Sequence, residues 1–501
     1  MSSTSLPQSL IDELTANITA SVYEQVNAEL MPSSKNLSTT NGGSSTFVEV
    51  GYASTAFLIC MSALVMIMTP GLGLFYSGLI RSKNALTIIM LCFLAYAVVA
   101  VQWVLLGFSL TFSETGSSFI GDFVYGGFRN VMWQSLLLTA PQVPVIVFAL
   151  YQMQFATVTV AIIFGSVAER IRILPSIIFM FLWTTVIYDP TAYWTWAARG
   201  WIKNMSCLST TSLDQTPCQI GGIDFAGGGP VHMASGAAAL AFCIFLGHRK
   251  RVAHDEFKPH NMTNVFLGTA LLWFGWFGFN SGSATSATAR AGYAGVVTTV
   301  SASSGAIAWV LVDYVRTGKF SGLAFCSGAI AGLVGITPAA GYVPAWSSII
   351  IGSVSAVCCS FSIRVKEYLG YDDSADAWGI HGVGGFVGAI LTALFASQAI
   401  PALDGSFIPG GAFINGNWDL LKYNFLGAIA ILAYSFVGTL ILILMINYIP
   451  GLHFRVDEAE EVAGGDRCEM GETAYEFVPS FSPSMLGDMK TDATEKDLTI
   501  V

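Results

Sequence analysis

The stretch DFAGGGPVHMASGAAALAFCIFLG (residues 224–247) decides the fold, because it places ionisable side chains at the start of a long apolar run. The run that follows Pro230 approaches the ~20 apolar residues that a helix needs to cross a membrane. His232 lies inside this run and Asp224 lies just before it. Burying either side chain costs free energy unless a partner replaces the lost water. The stretch therefore predicts a membrane-spanning helix with a polar site near one end.

The composition extends this interpretation to the whole chain. Hydrophobic residues make up 53% of the 501 residues and charged residues 11%, whereas soluble domains average ~25% charged residues. Mean hydropathy is +0.62. We therefore expect an all-α polytopic membrane protein with about eleven transmembrane helices. The candidate spans lie near residues 52–80, 85–112, 140–168, 173–196, 226–247, 262–280, 293–315, 321–338, 342–361, 378–398 and 423–449.

The distribution of lysine and arginine predicts the orientation, because cytoplasmic loops accumulate these residues. They are concentrated in the loops after the odd-numbered spans, and the alternate loops contain only Arg129, Arg199, Lys203, Arg290 and Lys422. We therefore expect the N-terminus outside and the C-terminus in the cytoplasm. The expected domains are a polar extracellular segment (1–50), a transmembrane domain (51–451) and a cytoplasmic tail (452–501).

The charged residues near the two ends of the chain are expected to lie in solvated terminal segments. The net charge of -10 resides largely in the termini, for example in DEAEE (457–461). The sequence contains no basic patch of the kind that binds nucleic acid. Residues 1–50 lack the basic start and short apolar core of a cleavable signal peptide, so we expect the first span to direct membrane insertion.

Two further patterns agree with this topology. Three glycosylation sequons lie on the predicted outer side, at Asn17, Asn36 and Asn204; such triplets also occur by chance. Cys207 and Cys218 lie in one predicted outer loop, where an oxidising environment would allow a disulfide between them. No spaced set of cysteines and histidines indicates a zinc site.

Two of the six histidines lie within predicted spans. They are His232 and His381, the second in DAWGIHGVGGFVGAI (376–390). An ionisable side chain inside a membrane is a candidate functional residue, because its burial is costly. A single buried histidine is nevertheless often a packing residue with satisfied hydrogen bonds. Two histidines in parallel contexts favour function.

The parallel contexts predict an inverted repeat of five plus five spans, followed by a final helix. Span 5 carries Asp224 and His232, and span 10 carries Asp376 and His381. Inverted repeats place binding sites at the repeat interface near the bilayer midplane, so the two histidines could meet there. The spacings, eight residues against five, do not match. We expect Asp376 to cap the start of span 10, and Glu169-Arg170 to be a structural ion-pair element.

Several stretches in a characteristic order resemble one known family. They are PGLGLFYSGLIRSKNAL (70–86), YQMQFATVTVAIIFGSVAERIRI (151–173), YWTWAARGW (193–201), DFAGGGPVH (224–232), FKPHN (257–261), GTALLWFGWFGFNSGSA (268–284), SGAIAGLVGITPAAGYV (327–343) and DAWGIHGVGGFVG (376–388). Over roughly residues 50–478 the chain resembles the ammonium transporter family (Amt/Mep/Rh), and in particular its fungal Mep-like members with twin histidines.

This resemblance implies a homotrimer of eleven-helix protomers, each with its own pore, in the plasma membrane. It implies roles for nine residues of this chain. The cation-recruitment site would be Trp196, Ser283 and Tyr151, supported by Asp224; the stacked gate would be Phe155 and Phe279; the pore would be lined by His232 and His381, with Trp276 beside them.

The chain departs from the family pattern at two positions. Tyr151 stands where bacterial members have phenylalanine, and Met470 stands where many members have histidine in the tail. The second difference makes control by the tail less certain. Ser480, Ser482 and Ser484 are candidate sites for a kinase or another regulatory partner.

The chemistry of these residues suits import of ammonium or methylammonium. An indole face attracts a cation by ~0.5–2 kcal/mol, a dry pore rejects charge, and histidine can donate, accept and relay protons. Two alternatives remain open: a sensor that binds ammonium and signals through its tail, and a redox protein holding haem between the histidines. We expect no enzymatic activity and no cofactor.

Overall fold

The computed structural model describes residues 51–132, 135–136, 138–207, 220–250 and 258–475. Within these ranges the chain is helical, and the extended pairing is confined to two isolated bridges, Leu136–Ala140 and Ile171–Arg455. The predicted all-α fold is therefore confirmed.

Eleven helices correspond one to one with the eleven predicted spans. They are α1 (Tyr52–Leu79), α2 (Ser82–Phe112), α3 (Val145–Gly165), α4 (Ile173–Trp196), α5 (Gly228–Leu246), α6 (Met262–Gly282), α7 (Ala289–Thr317), α8 (Gly322–Ile336), α9 (Ala345–Leu369), α10 (Trp378–Phe395) and α11 (Asp419–Asn447). Ten of these described helices are long and apolar enough to cross a membrane. The exception is α8.

Helix α8 has 15 residues, which at 1.5 Å per residue is shorter than a hydrocarbon core of ~30 Å. It is buried along almost its whole length and packs against α6, α7, α9 and α10. A backbone that is sheltered by protein rather than lipid can end within the membrane, provided its polar groups find partners. Turns that follow Ile336 supply such partners, including the bond from Ala339 N to Ile336 O at 2.8 Å.

Short helical elements occupy the described connections and the tail. They are Gly126–Phe128, Met205–Cys207, Pro401–Asp404, Ala412–Asn415, Glu458–Ala463 (α12) and Asp466–Met470. The tail contacts the first residues of two long helices: Asp466 accepts hydrogen bonds from Thr87 N in α2 (2.7 Å), and Glu469 from Ile173 N in α4 (2.9 Å). Carboxylates are favourable at helix N-termini, where backbone N–H groups lack partners.

Helices α5 and α10 are related in the manner that the predicted repeat requires. Each begins with a π-helical turn, Gly228–Met233 and Trp378–Gly382, and each turn holds one of the two histidines. The turn of α5 packs against the body of α10, and the turn of α10 packs against the body of α5. A methyl group added at Gly236 would lie 2.3 Å from Gly382 N. Glycine is therefore required for this crossing.

We expect Gly236→Ala to destabilise the fold, because its new methyl group would meet backbone atoms that cannot move aside. Overpacking of this kind costs about 1–3 kcal/mol. The matched control is Gly292→Ala in α7, where a methyl group would meet nothing within 4 Å. Thermal unfolding of the purified proteins in detergent should show a lower midpoint for Gly236→Ala alone; equal midpoints would contradict the close crossing.

Candidate functional site

A cavity of about 290 Å³ opens where α4, α6 and α8 end and α5 and α7 begin. Its lining includes Trp196, Asp224 and Ser283, three of the four residues predicted for cation recruitment. We call it the Trp196 cavity. The fourth predicted residue, Tyr151, is fully buried and lies behind Ser283, with its hydroxyl 3.4 Å from the Ser283 hydroxyl.

Asp224 holds the start of α5 in place. Its carboxylate accepts hydrogen bonds from Gly227 N (2.7 Å), Gly228 N (2.9 Å) and Gly229 N (2.6 Å). Gly227 has a φ of 110°, a conformation that favours glycine. Burial raises the pKa of Asp224, and these backbone donors oppose that rise. These three bonds hold the carboxylate at the start of α5, where Asp224 lines the Trp196 cavity.

Asp224 also positions the indole of the recruitment site. The Trp196 indole N–H donates to the backbone carbonyl of Asp224 at 3.1 Å. The Trp196 ring meets the ring of Phe155 edge to face, with centroids 5.9 Å apart. The indole face therefore stands directly beside the predicted gate.

The two predicted gate residues lie beside the Trp196 cavity, where the Phe155 ring packs against Trp196. The rings of Phe155 and Phe279 stack with centroids 3.9 Å apart and planes 18° apart, and both are fully buried. The backbone carbonyl of Phe279 accepts the hydroxyls of Tyr151 (2.6 Å) and Ser283 (2.9 Å). The Tyr151 hydroxyl therefore stabilises the backbone of Phe279, one of the two predicted gate residues. Because Ser283 donates to this carbonyl, its oxygen can still accept a hydrogen bond from a ligand.

Beyond the gate lies a second, much smaller space, which we call the histidine cavity. It is lined mostly by apolar side chains together with His232 and His381, and its volume of about 10 Å³ is roughly that of one water-sized molecule. Nδ1 of His232 and Nδ1 of His381 are 3.2 Å apart. The His232 ring stacks on Trp276 at 5.3 Å, and the Trp276 indole N–H donates to Thr337 Oγ1 at 2.9 Å.

The predicted meeting of the two histidines is thus present in the geometry, and the haem alternative is not supported. A porphyrin does not fit in a space of about 10 Å³, and the two histidine rings are already hydrogen-bonded to each other. Nε2 of His232 is buried and has no hydrogen-bond partner among the described residues. That atom can therefore interact with a small ligand in the cavity.

The predicted cap at Asp376 is wrong, and the residue that caps α10 is Asp373. The Asp373 carboxylate accepts from Ala377 N (3.0 Å) and Trp378 N (2.8 Å). Asp376 instead pairs with Lys366 and has a φ of 57°. Burial and the neighbouring Asp376 carboxylate raise the pKa of Asp373 to about 6. Asp373 and His381 are eight residues apart, as are Asp224 and His232, so the mismatch in spacing disappears.

A third cavity, of about 600 Å³, opens at the opposite ends of these helices. We call it the Arg249 cavity. Glu169 pairs there with Arg81 and with Arg249 (2.7 Å), and Arg249 pairs with Asp372 (2.8 Å). Burial alone would raise the pKa of Asp372, but the bonds and charge of Arg249 hold it well below its usual range. These contacts neutralise the charges within the wall.

Glu169 and Arg170 are structural, as predicted, but they do not pair with each other. Arg170 instead donates to Ser374 Oγ (2.9 Å) and to the carbonyl of Asp372 (2.5 Å). Glu169 itself has a left-handed backbone conformation, with a φ of 80°.

Several predicted residues lie elsewhere or outside the described ranges. Asn204 is buried, and its side-chain nitrogen donates to Ala198 O (2.9 Å) and Gly200 O (2.8 Å), a geometry that counts against attachment of a glycan. Asn17, Asn36, Cys218 and the side chain of Cys207 lie outside the described residues, so the other sequons and the disulfide stay predictions.

Asp373, Tyr76 and Lys203 were not among the site residues predicted from the sequence. Asp373 could have been found by aligning Asp224 and His232 with a second aspartate eight residues before His381. Tyr76 lines the histidine cavity and donates to Ile162 O at 3.2 Å, and Lys203 lines the Trp196 cavity. Neither has a sequence signal that separates it from an ordinary buried tyrosine or loop lysine.

The fold and these cavities define a multi-pass membrane protein with a mostly apolar, histidine-lined cavity between two polar cavities. The Ammonium Transporter Family profile matches residues 56–475. The chain is 42% identical to "Ammonium transporter 1" of Schizosaccharomyces pombe over 445 residues, 88% of this chain and 86% of that protein. The protein belongs to the ammonium transporter family, whose members are transporters rather than enzymes.

Solved structures agree with this assignment. The crystal structure of Candida albicans Mep2 is 43% identical, with a TM-score of 0.75, covering 82% of this chain and 88% of that one. A chain described as "Sensor Amt Protein" is 25% identical, with a TM-score of 0.71, covering 83% of this chain and 98% of that one. The higher identity to named transporters does not favour the sensor alternative.

We expect Asp373→Ala to lower stability more than Asp376→Ala. The first change leaves two buried N–H groups at the start of α10 without their acceptor, a loss of about 0.5–2 kcal/mol. The second breaks a partly exposed ion pair, which contributes about 0–1 kcal/mol. Thermal midpoints of the purified variants compare the two effects directly. A larger decrease in thermal midpoint for Asp376→Ala would contradict this assignment and would make Asp376 the more important stabilising residue.

Proposed function

We propose that this protein imports ammonium by recruiting the cation in the Trp196 cavity, removing a proton at the Phe155–Phe279 gate, and passing ammonia along His232 and His381. The observation that carries this proposal is the contrast between the spaces on either side of the gate. The cavity above it is polar and wide, and the cavity below it is apolar and holds about one small molecule.

Recruitment depends on groups that prefer a small cation. The Trp196 indole face attracts the positive charge by ~0.5–2 kcal/mol. The Ser283 oxygen accepts one N–H, while the Asp224 carboxylate contributes a negative charge just before the start of α5. Methylammonium carries the same charge and N–H donors, so it is a suitable second substrate.

Loss of a proton explains how one passage can admit ammonium and exclude other cations. A charge at the centre of a membrane costs at least ~2.5–3.5 kcal/mol, and the closely stacked phenylalanine rings leave no room between them for water to offset that cost. Ammonium can become neutral by losing a proton. Potassium and sodium cannot, so the histidine cavity rejects them.

The paired histidines give ammonia hydrogen-bonding partners in this apolar space. One of the two neighbouring Nδ1 atoms carries the proton that they share, because a hydrogen bond joins a donor to an acceptor. In the neutral rings, the histidine that donates keeps a bare Nε2, and the other keeps Nε2–H. The pair therefore presents one acceptor and one donor to the passage, and it can relay a proton when these roles exchange.

Transfer of the removed proton by a separate route makes the net process electrogenic in this proposal. The concentration of basic residues around the Arg249 cavity supports placing that end in the cytoplasm, with the Trp196 cavity outside. The same reasoning gives an outer N-terminus and a cytoplasmic tail. We further infer a homotrimer in the plasma membrane, surrounded by lipid, with the tail open to a kinase or other regulatory partner.

Uptake of labelled methylammonium by cells that lack their own ammonium carriers tests this function. We expect saturable uptake and an ammonium-dependent current from the wild-type protein at several pH values. His232→Ala and His381→Ala should lose flux or admit potassium, because each leaves a gap and removes one of the paired rings. His453→Ala is the matched control, since that histidine is exposed in the segment that follows α11.

Unchanged flux and selectivity in both pore variants would refute deprotonation at the gate. Equal conduction of rubidium by the wild-type protein would do the same, because rubidium cannot lose a proton. Signalling without any uptake would instead indicate a sensor.

We expect Trp196→Leu to raise the KM for methylammonium about two- to thirtyfold, the range that corresponds to loss of ~0.5–2 kcal/mol of cation–π attraction. Trp196→Phe should raise it less, because a phenyl face remains. Trp418→Leu, at an exposed tryptophan next to α11, is the matched control. Kinetics of uptake would contradict this role if both variants at position 196 kept the KM of the wild type.

A further inference from the structure

Two cationic side chains, Lys203 and Arg290, line the cavity that is proposed to attract a cation. Arg290 is neutralised within the wall. It pairs with Asp404 at 3.2 Å and donates to the carbonyl of Gly341 at 2.9 Å. Its guanidinium group also lies over two aromatic rings. Lys203 has different surroundings.

The backbone holds Lys203 close to the recruitment site. After α4 the chain turns back, and Lys203 N donates to the carbonyl of Trp194 at 3.2 Å. The side-chain Nζ donates to the carbonyl of Trp196, also at 3.2 Å. The lysine charge is therefore fixed on the same wall as the indole that receives the cation. Its hydrogen-bond partner is a neutral carbonyl, and the carboxylate that acts on its charge, Glu114, is not among the residues that line the cavity.

We propose that Lys203 sets the affinity of the Trp196 cavity for its cation. Charged Lys203 repels the arriving cation and weakens its binding, and neutral Lys203 removes this repulsion. The inference rests on the proposed function and extends it, because it assigns control of affinity to a residue outside the recruitment set. Like charges repel more strongly in a confined cavity with low-dielectric walls than in open water.

The repulsion depends on pH. Burial lowers the pKa of Lys203 to about 8, against the opposing charge of Glu114. The other charged groups that face this cavity are Asp224 and the ion pair of Arg290 with Asp404. As pH rises through about 8, Lys203 loses its charge and the KM for the cation falls.

Two substitutions separate the charge of Lys203 from its hydrogen bond. Lys203→Gln keeps a donor for the Trp196 carbonyl but has no charge, and Lys203→Arg keeps both at every pH tested. Between about pH 6.5 and 9, we expect the wild-type KM for methylammonium to fall about two- to fivefold. The glutamine variant should have the low KM throughout, the arginine variant should have the high KM throughout, and Vmax should be similar in all three.

Opposite results would overturn the proposal. A higher KM in Lys203→Gln, or a pH profile like that of the wild type, would show that the lysine charge does not control affinity. A lower Vmax at unchanged KM would assign Lys203 a purely structural role. Thermal-shift titration of the purified proteins with methylammonium measures binding without transport. Equal affinities in the three proteins would contradict the role of Lys203, whereas lack of uptake by the wild type would contradict the proposed function.

Discussion

The hydrogen bond between Nδ1 of His232 and Nδ1 of His381 is the interaction on which the rest of the structure depends. Here the two helices that carry these rings cross with their backbones nearly in contact. Glycine permits that approach at Gly236 and at Gly385, where an added methyl group would lie 2.6 Å from Gly228 O. The π-helical turns that hold both rings are stabilised at their first N–H groups by buried aspartates. The close crossing of α5 and α10 and the pairing of the two histidine rings therefore depend on the same local geometry.

The same arrangement separates charge from the centre of the protein. Ionised groups lie in the cavities at the two ends, where several are paired: Glu169 contacts two arginines, and Arg290 contacts Asp404. Between these ends the lining of the histidine cavity is apolar apart from the histidines, the Tyr76 hydroxyl and the Trp276 indole N–H. Because an unpaired ion loses its hydration there, we infer that the middle of the proposed passage discriminates by charge rather than by size alone.

Most of the fold could be predicted from the sequence, since each of the eleven spans is an apolar run with clear ends. The short length of α8 could not be predicted, because its burial depends on helices that are distant in the chain. The paired histidines were predicted from two similar local contexts. Asp373 was missed because Asp376 is closer to His381, and side-chain direction decides which of two nearby carboxylates reaches the helix start. Tyr151 was placed in the recruitment site, but its hydroxyl bonds to the gate backbone behind it.

Positive side chains at the mouth of a cation pathway are consistent with transport, although they weaken binding. A transported ion must enter a site and then leave it, so very tight binding would slow every later step. The Trp196 cavity combines a cation–π face and a carboxylate, which attract, with Lys203, which repels. Because Asp224 is already occupied by three backbone N–H groups, it cannot close around the cation as a direct ligand. The balance of these groups favours brief occupancy, and brief occupancy next to the Phe155–Phe279 gate is what rapid deprotonation and release require.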